Sequence, residues 1–361
     1  MPGGVDPSHI AERATKDELA GGVAALASRL TARVGRVGAR VAVAQQRACA
    51  LTVIQSVHQN DQRTMTSRLP VTVAVLSRGE RSSLATVLEG VLSCSPAPAT
   101  VRLIWSGERD AMPVLPASVE VETIEPDLFD HGGTRQLALE GCRTDILALL
   151  SDDAEPVRRD WLEAMCRPFR DPFVAAVYGR QIARKDSNAA ERVFRRVRYP
   201  ETSRAIELEE VMFGGEIDLP VSNANAAYRV RLIRGLGGFP RRCTYGEDRV
   251  TAAAALSAGW RVVYAADASV WHSHELAWPE MFRRGRYAGA LSRSIAATSG
   301  GSARRSIWRG GLLAWRMVKS AWGLGGAEAV LGVAAASFAR GLGYALGRLQ
   351  SSGEAGPCAT G

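Results

Sequence analysis

Residues 145–156 read Asp-Ile-Leu-Ala-Leu-Leu-Ser-Asp-Asp-Ala-Glu-Pro, and the fold is read outward from this run. Residues 146–150 are continuously apolar, the pattern of a strand covered on both faces. The strand opens directly into two adjacent carboxylates, Asp152 and Asp153. Acids at the carboxyl end of a buried strand are costly unless something offsets their charge. A hard divalent cation, Mg2+ or Mn2+, would do so and would in turn bridge phosphate oxygens. Taken alone, the segment fits slightly better a solvated acidic turn capping a helix that starts near Arg158.

Upstream, residues 71–76 form a second apolar run that ends in Ser77-Arg78-Gly79. Leu84, Val87, Leu88, Val91 and Leu92 then carry helical spacing, followed by strand-like residues 101–105 and 119–123 and a helix over roughly 134–142. This β-α-β order predicts an α/β fold with a Rossmann-like, mostly parallel sheet and helices on both faces. Ligands of such sheets sit outside the carboxyl ends of the strands. Ahead of the helix near 134, Phe129-Asp130-His131-Gly132-Gly133-Thr134-Arg135 suggests a diphosphate seat, with backbone N–H groups of Gly132 and Gly133 and the Arg135 guanidinium as donors. It is not the G-x-G-x-x-G dinucleotide fingerprint.

Downstream, Tyr245-Gly246-Glu247-Asp248-Arg249 opens a helical stretch over 250–258, where acids also complement the helix dipole. After strand-like residues 261–265 comes Trp271-His272-Ser273-His274, holding two of the five histidines. In a strand that alternation would place both rings on one face.

The 361 residues, 46% hydrophobic and 23% charged, are ordinary globular composition. The net charge of +8 comes mostly from arginine and suits phosphate-bearing ligands or an anionic membrane surface. No DNA- or RNA-binding motif is present, so nucleic acid is not expected as a partner. Six scattered cysteines without a CxxC pair argue against structural zinc and a disulfide framework, and fit a cytoplasmic setting. The first residues lack the charged-then-apolar pattern of a secretory leader.

Residues 1–66 are expected to form a helical arm and linker. Leu19, Val23, Leu26, Leu30, Val34, Val37 and Val41 make a seam that could pack on its own chain, pair two copies as a homodimer, or lie on a membrane. A central domain is expected over 67–300. Residues 301–361 alternate Trp308, Trp315 and Trp322 with Arg309, Arg316 and Lys319, the pattern of an amphipathic helical tail in contact with a membrane surface, its end disordered. Helices packed against the central domain fit the same pattern. The apolar run 329–339, bounded by Glu328 and Arg340, is short of the roughly 20 residues of a spanning helix.

Six segments, in this order, carry a family resemblance: FDHGGTRQLALE (129–140), DILALLSDDAEPVRRDWLEAM (145–165), VAAVYGRQIAR (174–184), VSNANAAYR (221–229), YGEDR (245–249) and VWHSH (270–274). Over about residues 71–289 the chain resembles the family 2 glycosyltransferases of GT-A fold, and among them bacterial rhamnosyltransferase-like members. The resemblance implies an inverting, metal-assisted transferase. It would move a sugar from a nucleoside-diphosphate donor such as dTDP-rhamnose to a hydroxyl of a glycan, lipid-linked or small-molecule acceptor. The setting implied is cytoplasmic, peripheral on the inner face of the membrane.

Carried over by position, the resemblance makes Asp153 the metal-contacting aspartate, with Asp152 in support. His272 completes the metal site, and His274 comes second to it. Asp248 is the base and Glu247 its neighbour. Arg135 and the glycines before it meet the donor phosphates, Ser77 and Arg78 the nucleotide. Gln181, Ser222 and Asn223 line the sugar and acceptor pocket. Two positions depart from the family pattern. Ser151 stands where many members have the first aspartate of the metal motif, and Trp105 replaces an aspartate that contacts the nucleobase. These departures are what an inactive, membrane-associated scaffold would show. A two-carboxylate glycoside hydrolase is a further alternative.

Overall fold

The runs at 71–76, 101–105 and 146–150 lie side by side in one sheet in a computed structural model that describes residues 69–79, 83–206, 221–274, 278–299 and 303–349. The expected arm and linker over 1–66 and the end of the tail lie outside the described residues. Strands β1 (Val71–Ser77), β2 (Thr100–Trp105), β3 (Val119–Thr123) and β4 (Ile146–Ser151) come first, with helices α1 (Leu84–Leu92) and α2 (His131–Glu140) between them. There follow β5 (Glu155–Pro156), α3 (Trp161–Cys166), β6 (Val174–Ile182), α4 (Ala189–Arg198) and β7 (Arg204–Ile206). The remainder is β8 (Asn225–Arg229), α5 (Val230–Gly235), α6 (Glu247–Ser257), β9 (Arg261–Trp271), α7 (Trp278–Ser299) and α8 (Ala303–Leu349).

The strand order is β3-β2-β1-β4-β8-β6-β9-β5, with β7 also on β9. β1 lies parallel between β2 and β4, and β3 is parallel to β2. Every residue of β1 is buried, as its unbroken apolar run requires. Beyond β4 the sheet departs from the mostly parallel expectation. β8 runs antiparallel to both β4 and β6, and β5 and β7 run antiparallel to β9, while β6 and β9 are parallel. The reason is legible in β8: its sequence Asn-Ala-Ala-Tyr-Arg is buried through small side chains rather than branched ones, and so carries no signature of direction. β9 is also longer than expected, and it delivers His272 at its end.

Val73, Val75, Leu103, Ile146, Ala148 and Leu150 of the sheet share one core with Leu84, Val87, Leu88 and Val91 of α1. Removing each large aliphatic side chain there from water contributes about 1.5–3 kcal/mol. Trp161 of α3 is fully buried and donates its Nε1–H to Asn225 Oδ1 at 3.1 Å, pinning α3 to the middle of the sheet.

Helix α8 packs along α7 and against α4. Val193 of α4 shares an apolar cluster with Met317, Ala321, Ala329 and Val333 of α8. Gly326, at φ +62°, interrupts the regular geometry of α8 between those two pairs. The expectation that the tail is too short to cross a membrane is overturned. Gly326–Leu349 is long and apolar enough to do so by length and composition, with 22% of the window buried. Counting only between Glu328 and Arg340 missed the apolar residues beyond Arg340.

Candidate active site

A cleft of about 490 Å3 opens at the carboxyl ends of β1 and β4, and both Asp153 and Asp248 line it. Arg78, Arg135, Asp152, Gln181, Ser222, Asn223 and His272 line it too. Residues that are almost a hundred positions apart in sequence thus face one space.

β4 carries Asp153 to the cleft and β9 carries the two histidines opposite. His272 Nε2 lies 3.2 Å from Asp153 Oδ1, and His274 Nδ1 lies 3.8 Å from Asp153 Oδ2. One ligand atom from each of the three falls within 4.8 Å of the others. Burial, then the nearby Arg195 guanidinium, holds the His272 imidazole below its ordinary pKa. Burial and then His272 push His274 down to about 2. One carboxylate oxygen with two imidazole nitrogens is a mixed donor set that suits a divalent first-row transition ion better than Mg2+. His274, placed second by sequence, belongs to this cluster.

Asp152 does not belong to it. Its Oδ2 accepts from Ser77 Oγ at 2.6 Å, and its main-chain N–H and C=O bond to Leu76 and Ser83. Ser77 is itself only 2% exposed. Ser77 and Asp152, expected at the nucleotide and at the metal, are thus bonded to each other, joining β1 to β4. Trp105 is equally internal, its Nε1–H donated to Glu108 O at 3.2 Å.

Gly246, at φ +87°, turns the chain into α6, and a Cβ there would come within 2.3 Å of Leu291 on α7. That turn presents Glu247 and Asp248 to the cleft. Asp248 accepts from the Asn223 N–H at 3.3 Å and the Arg249 N–H at 2.7 Å. Burial, then Glu247, raises its pKa to about 7. Glu247 Oε1 accepts from Asn223 Nδ2 at 3.0 Å and lies 3.2 Å from Arg135 Nε. The Asn223 amide is oriented by Tyr228, whose hydroxyl donates to its Oδ1 at 2.6 Å. Asn223, expected only as a pocket residue, therefore holds both acids.

The expected backbone phosphate seat is not formed. Gly132 N–H donates to Cys243 O, Gly133 N–H to Asp130 Oδ1 and Thr134 N–H to Asp130 O, all at 2.9–3.0 Å. Gly132 is required for a different reason: a Cβ would stand 1.8 Å from Pro240 O. The two glycine amides close the helix start onto Asp130 and the loop before α6. Arg135 donates to His131 Nδ1 at 3.0 Å and His131 O at 3.2 Å. At the other edge, the Arg78 guanidinium stands 5.1 Å from the Phe129 ring centroid.

Sequence reasoning missed several cleft residues. Phe129 and His131 lie inside a motif it quoted, and burial, then Arg135, lowers the His131 pKa to about 4. Arg195 lines the cleft as well; it pairs with Glu191 at 2.6 Å, i,i+4 on α4, and the two are 5% and 1% exposed. Gln181 lines the cleft as expected, and its Oε1 accepts from His272 Nδ1 at 2.8 Å and from Arg195.

A family model described as glycosyltransferase-like family 2 matches residues 68–287. The O-antigen chain rhamnosyltransferase RfbN of Salmonella typhimurium is 30% identical over 220 residues, covering 60% of this chain and 70% of that protein. The O-antigen chain rhamnosyltransferase WbaN of Salmonella anatum is 35% identical over 162 residues, 45% of this chain and 51% of that one. The chain thus spans about half the length of the latter. Among solved structures, the mannosyltransferase PcManGT from Pyrobaculum calidifontis, in complex with GDP-Man and Mn2+, superposes with a TM-score of 0.52 at 15% identity. The match covers 85% of this chain and 97% of that one, a likeness of fold.

Proposed function

Since this chain belongs to the glycosyltransferase-like family 2 and is a glycosyltransferase using a nucleotide-sugar donor, we propose that it acts by a single inverting displacement, with Asp248 as base. The observation that carries this reading is the shared cleft, in which Asp153 and Asp248 come from separate elements and take separate environments. Asp248 removes the proton of an acceptor hydroxyl as that oxygen attacks the anomeric carbon, and a carboxylate with a pKa near 7 suits a base working at neutral pH. Glu247 is engaged by Arg135 and Asn223, and so sets the field at Asp248 rather than exchanging the proton itself. Asp153, His272 and His274 would hold the divalent cation. When bound, such a cation supplies neutralisation of charge on the departing nucleoside diphosphate.

The donor favoured is dTDP-rhamnose, because the two Salmonella relatives are named rhamnosyltransferases. Arg78 with Phe129 forms the edge of the cleft suited to its nucleotide. The acceptor favoured is a glycan carried on a lipid. Arg283 and Arg284 of α7 and Arg340 of α8 line the same cleft, so the acceptor side is built by the helices that expose Trp315, Trp322, Leu331 and Phe338. Such an apolar face beside arginines seats α8 at an anionic membrane surface, peripheral on the cytoplasmic side. The catalytic domain is assigned to residues 67–300 and the membrane-contacting tail to 301–361.

The test is a donor screen on the full chain with Mn2+, reading released nucleoside diphosphate in the presence of lipid-linked acceptor. Turnover is expected with dTDP-rhamnose and is lost in Asp248→Asn while donor binding persists. Parental turnover in the Asn variant would rule out the base assignment.

A further inference from the structure

Behind the Asp153–His272 contact lies a buried chain of side chains that the transfer reaction itself does not use. Arg195 Nε donates to Glu191 Oε1 at 2.6 Å, and Arg195 Nη1 donates to Gln181 Oε1. That same Oε1 lies 2.8 Å from His272 Nδ1, and His272 Nε2 lies 3.2 Å from Asp153 Oδ1. Gln181, Glu191, Arg195 and His272 are each no more than 5% exposed.

The donor inventory fixes the direction of every link. Arginine has only donors, so the atom of Gln181 that meets it must be the carbonyl oxygen and not the amide nitrogen. An oxygen facing His272 Nδ1 requires a hydrogen on that nitrogen. Nε2 is thereby turned toward Asp153 Oδ1, 3.2 Å away, and is the ring nitrogen left to meet a cation held between them. Gln181 holds this orientation with its Nε2 buried and without a hydrogen-bond partner. The opposite orientation would set its NH2 group against a guanidinium.

We propose that Arg195, acting through Gln181, is a positioning residue that locks His272 in the Nδ1–H tautomer and so turns Nε2 toward the divalent cation beside Asp153. The proposal rests on the reading of Asp153 and His272 as cation ligands. Glu191 serves the same end twice. It compensates the Arg195 charge, and its Oε1 accepts the His274 N–H at 3.2 Å, fixing the segment that carries the second histidine. Asn188 accepts the Glu191 N–H at 2.8 Å as the N-cap of α4, which sets the register of the pair.

The experiment combines Mn2+ titration by electron paramagnetic resonance with long-range 15N–1H correlation of the His272 ring, both on the full chain. The parent is expected to show Nδ1–H and one tight Mn2+ site. Gln181→Met and Arg195→Met are expected to move His272 toward Nε2–H and to weaken Mn2+ binding roughly 10- to 100-fold. Arg195→Lys, which keeps a donor at Gln181, should retain the parental tautomer and most of the affinity. Because Arg195→Met leaves Glu191 a buried unpaired acid, the double variant Arg195→Met/Glu191→Gln and the single Gln181→Met carry the test if it fails to fold. Asp153→Asn, run alongside, separates the two readings. Parental Mn2+ binding there overturns the cation site itself. Loss of binding there, with parental binding and tautomer in Gln181→Met and Arg195→Met, overturns the positioning role alone.

Discussion

Arg135 and Glu247 form an ion pair across the cleft wall, Nε to Oε1 at 3.2 Å, with 9% and 6% of their side chains exposed. The pair joins the start of α2 to the start of α6, and hence to the proposed base next door. An arginine committed in this way is first a structural element. Arg135→Met is expected to lower stability by about 3–5 kcal/mol, because it strands a buried carboxylate. Arg135→Met/Glu247→Gln should recover part of that loss. Thermal melts of the three proteins decide the matter. An Arg135→Met variant with parental melting and only a raised donor KM would instead make Arg135 a phosphate contact.

The pH dependence of transfer should report Asp248. With its pKa raised to about 7 by burial and Glu247, the carboxylate becomes available as pH rises. kcat/KM is expected to climb about tenfold per pH unit below that value and to level off above it. A flat profile between pH 5 and 8 would exclude Asp248 as the titrating base.

The same shift has a consequence for stability, of opposite sense to the usual aspartate. A folded pKa above the ordinary value means that the folded chain keeps a proton which the unfolded chain releases between about pH 4 and 7. The resulting stabilisation is complete at low pH and is lost as pH rises through about 7. Asp248→Asn escapes this loss. It should melt higher than the parent at pH 8 and close to it at pH 4, while being inactive at both. Equal melting temperatures at pH 8 would contradict the burial of charge at this position.

What the sequence conveyed was the strand register of chemistry rather than its wiring. The runs at 71–76, 101–105 and 146–150 fall on β1, β2 and β4 because continuous apolar residues leave a strand no wet face. β8 could not be oriented from two alanines. Asp153, Asp248 and His272 were legible since acids and histidines next to strand ends and helix starts are unusual enough to notice. At Ser77, Asp152, Gly132 and Gly133 the sequence shows which groups can bond a ligand, not which are already bonded within the chain. Arg195 and Glu191 gave no signal at all. An i,i+4 pair on a helix looks the same whether it faces water or the protein interior, and only its contacts with Gln181 and the His274 main chain decide.

Metal removal gives a direct readout of the Asp153 cluster. Dialysis against a chelator should abolish transfer, and Mn2+ or Mg2+ should restore it. His274→Ala is expected to raise the Mn2+ concentration needed for half-maximal rate by at least about tenfold, since it would remove one of the three proposed ligands. An unchanged metal requirement would return His274 to a purely structural role.

The α7–α8 contact is closed by four glycines. Cβ atoms on Gly285 and Gly289 would come within 2.3 and 2.1 Å of the carbonyl oxygens of Arg340 and Tyr344, and on Gly343 and Gly347 within 2.1 and 2.0 Å of those of Phe282 and Arg286. Such backbone-to-backbone approach leaves no room for a side chain at any of the four positions. Because Arg284 and Arg340 line the cleft from these two helices, Gly343→Val should do two things at once. It should cost about 1–3 kcal/mol or more by overpacking, and it should lower transfer by displacing Arg340. The triple variant Trp315→Ser/Trp322→Ser/Phe338→Ser changes residues that are 64%, 70% and 72% exposed, and should leave melting and soluble-acceptor turnover unaltered. Its association with anionic vesicles should fall by roughly tenfold per half-inserted ring, at about 1–2 kcal/mol each. Co-sedimentation separates the two effects. Parental vesicle binding by the triple variant would remove α8 from the membrane contact, while parental turnover by Gly343→Val would remove it from the cleft.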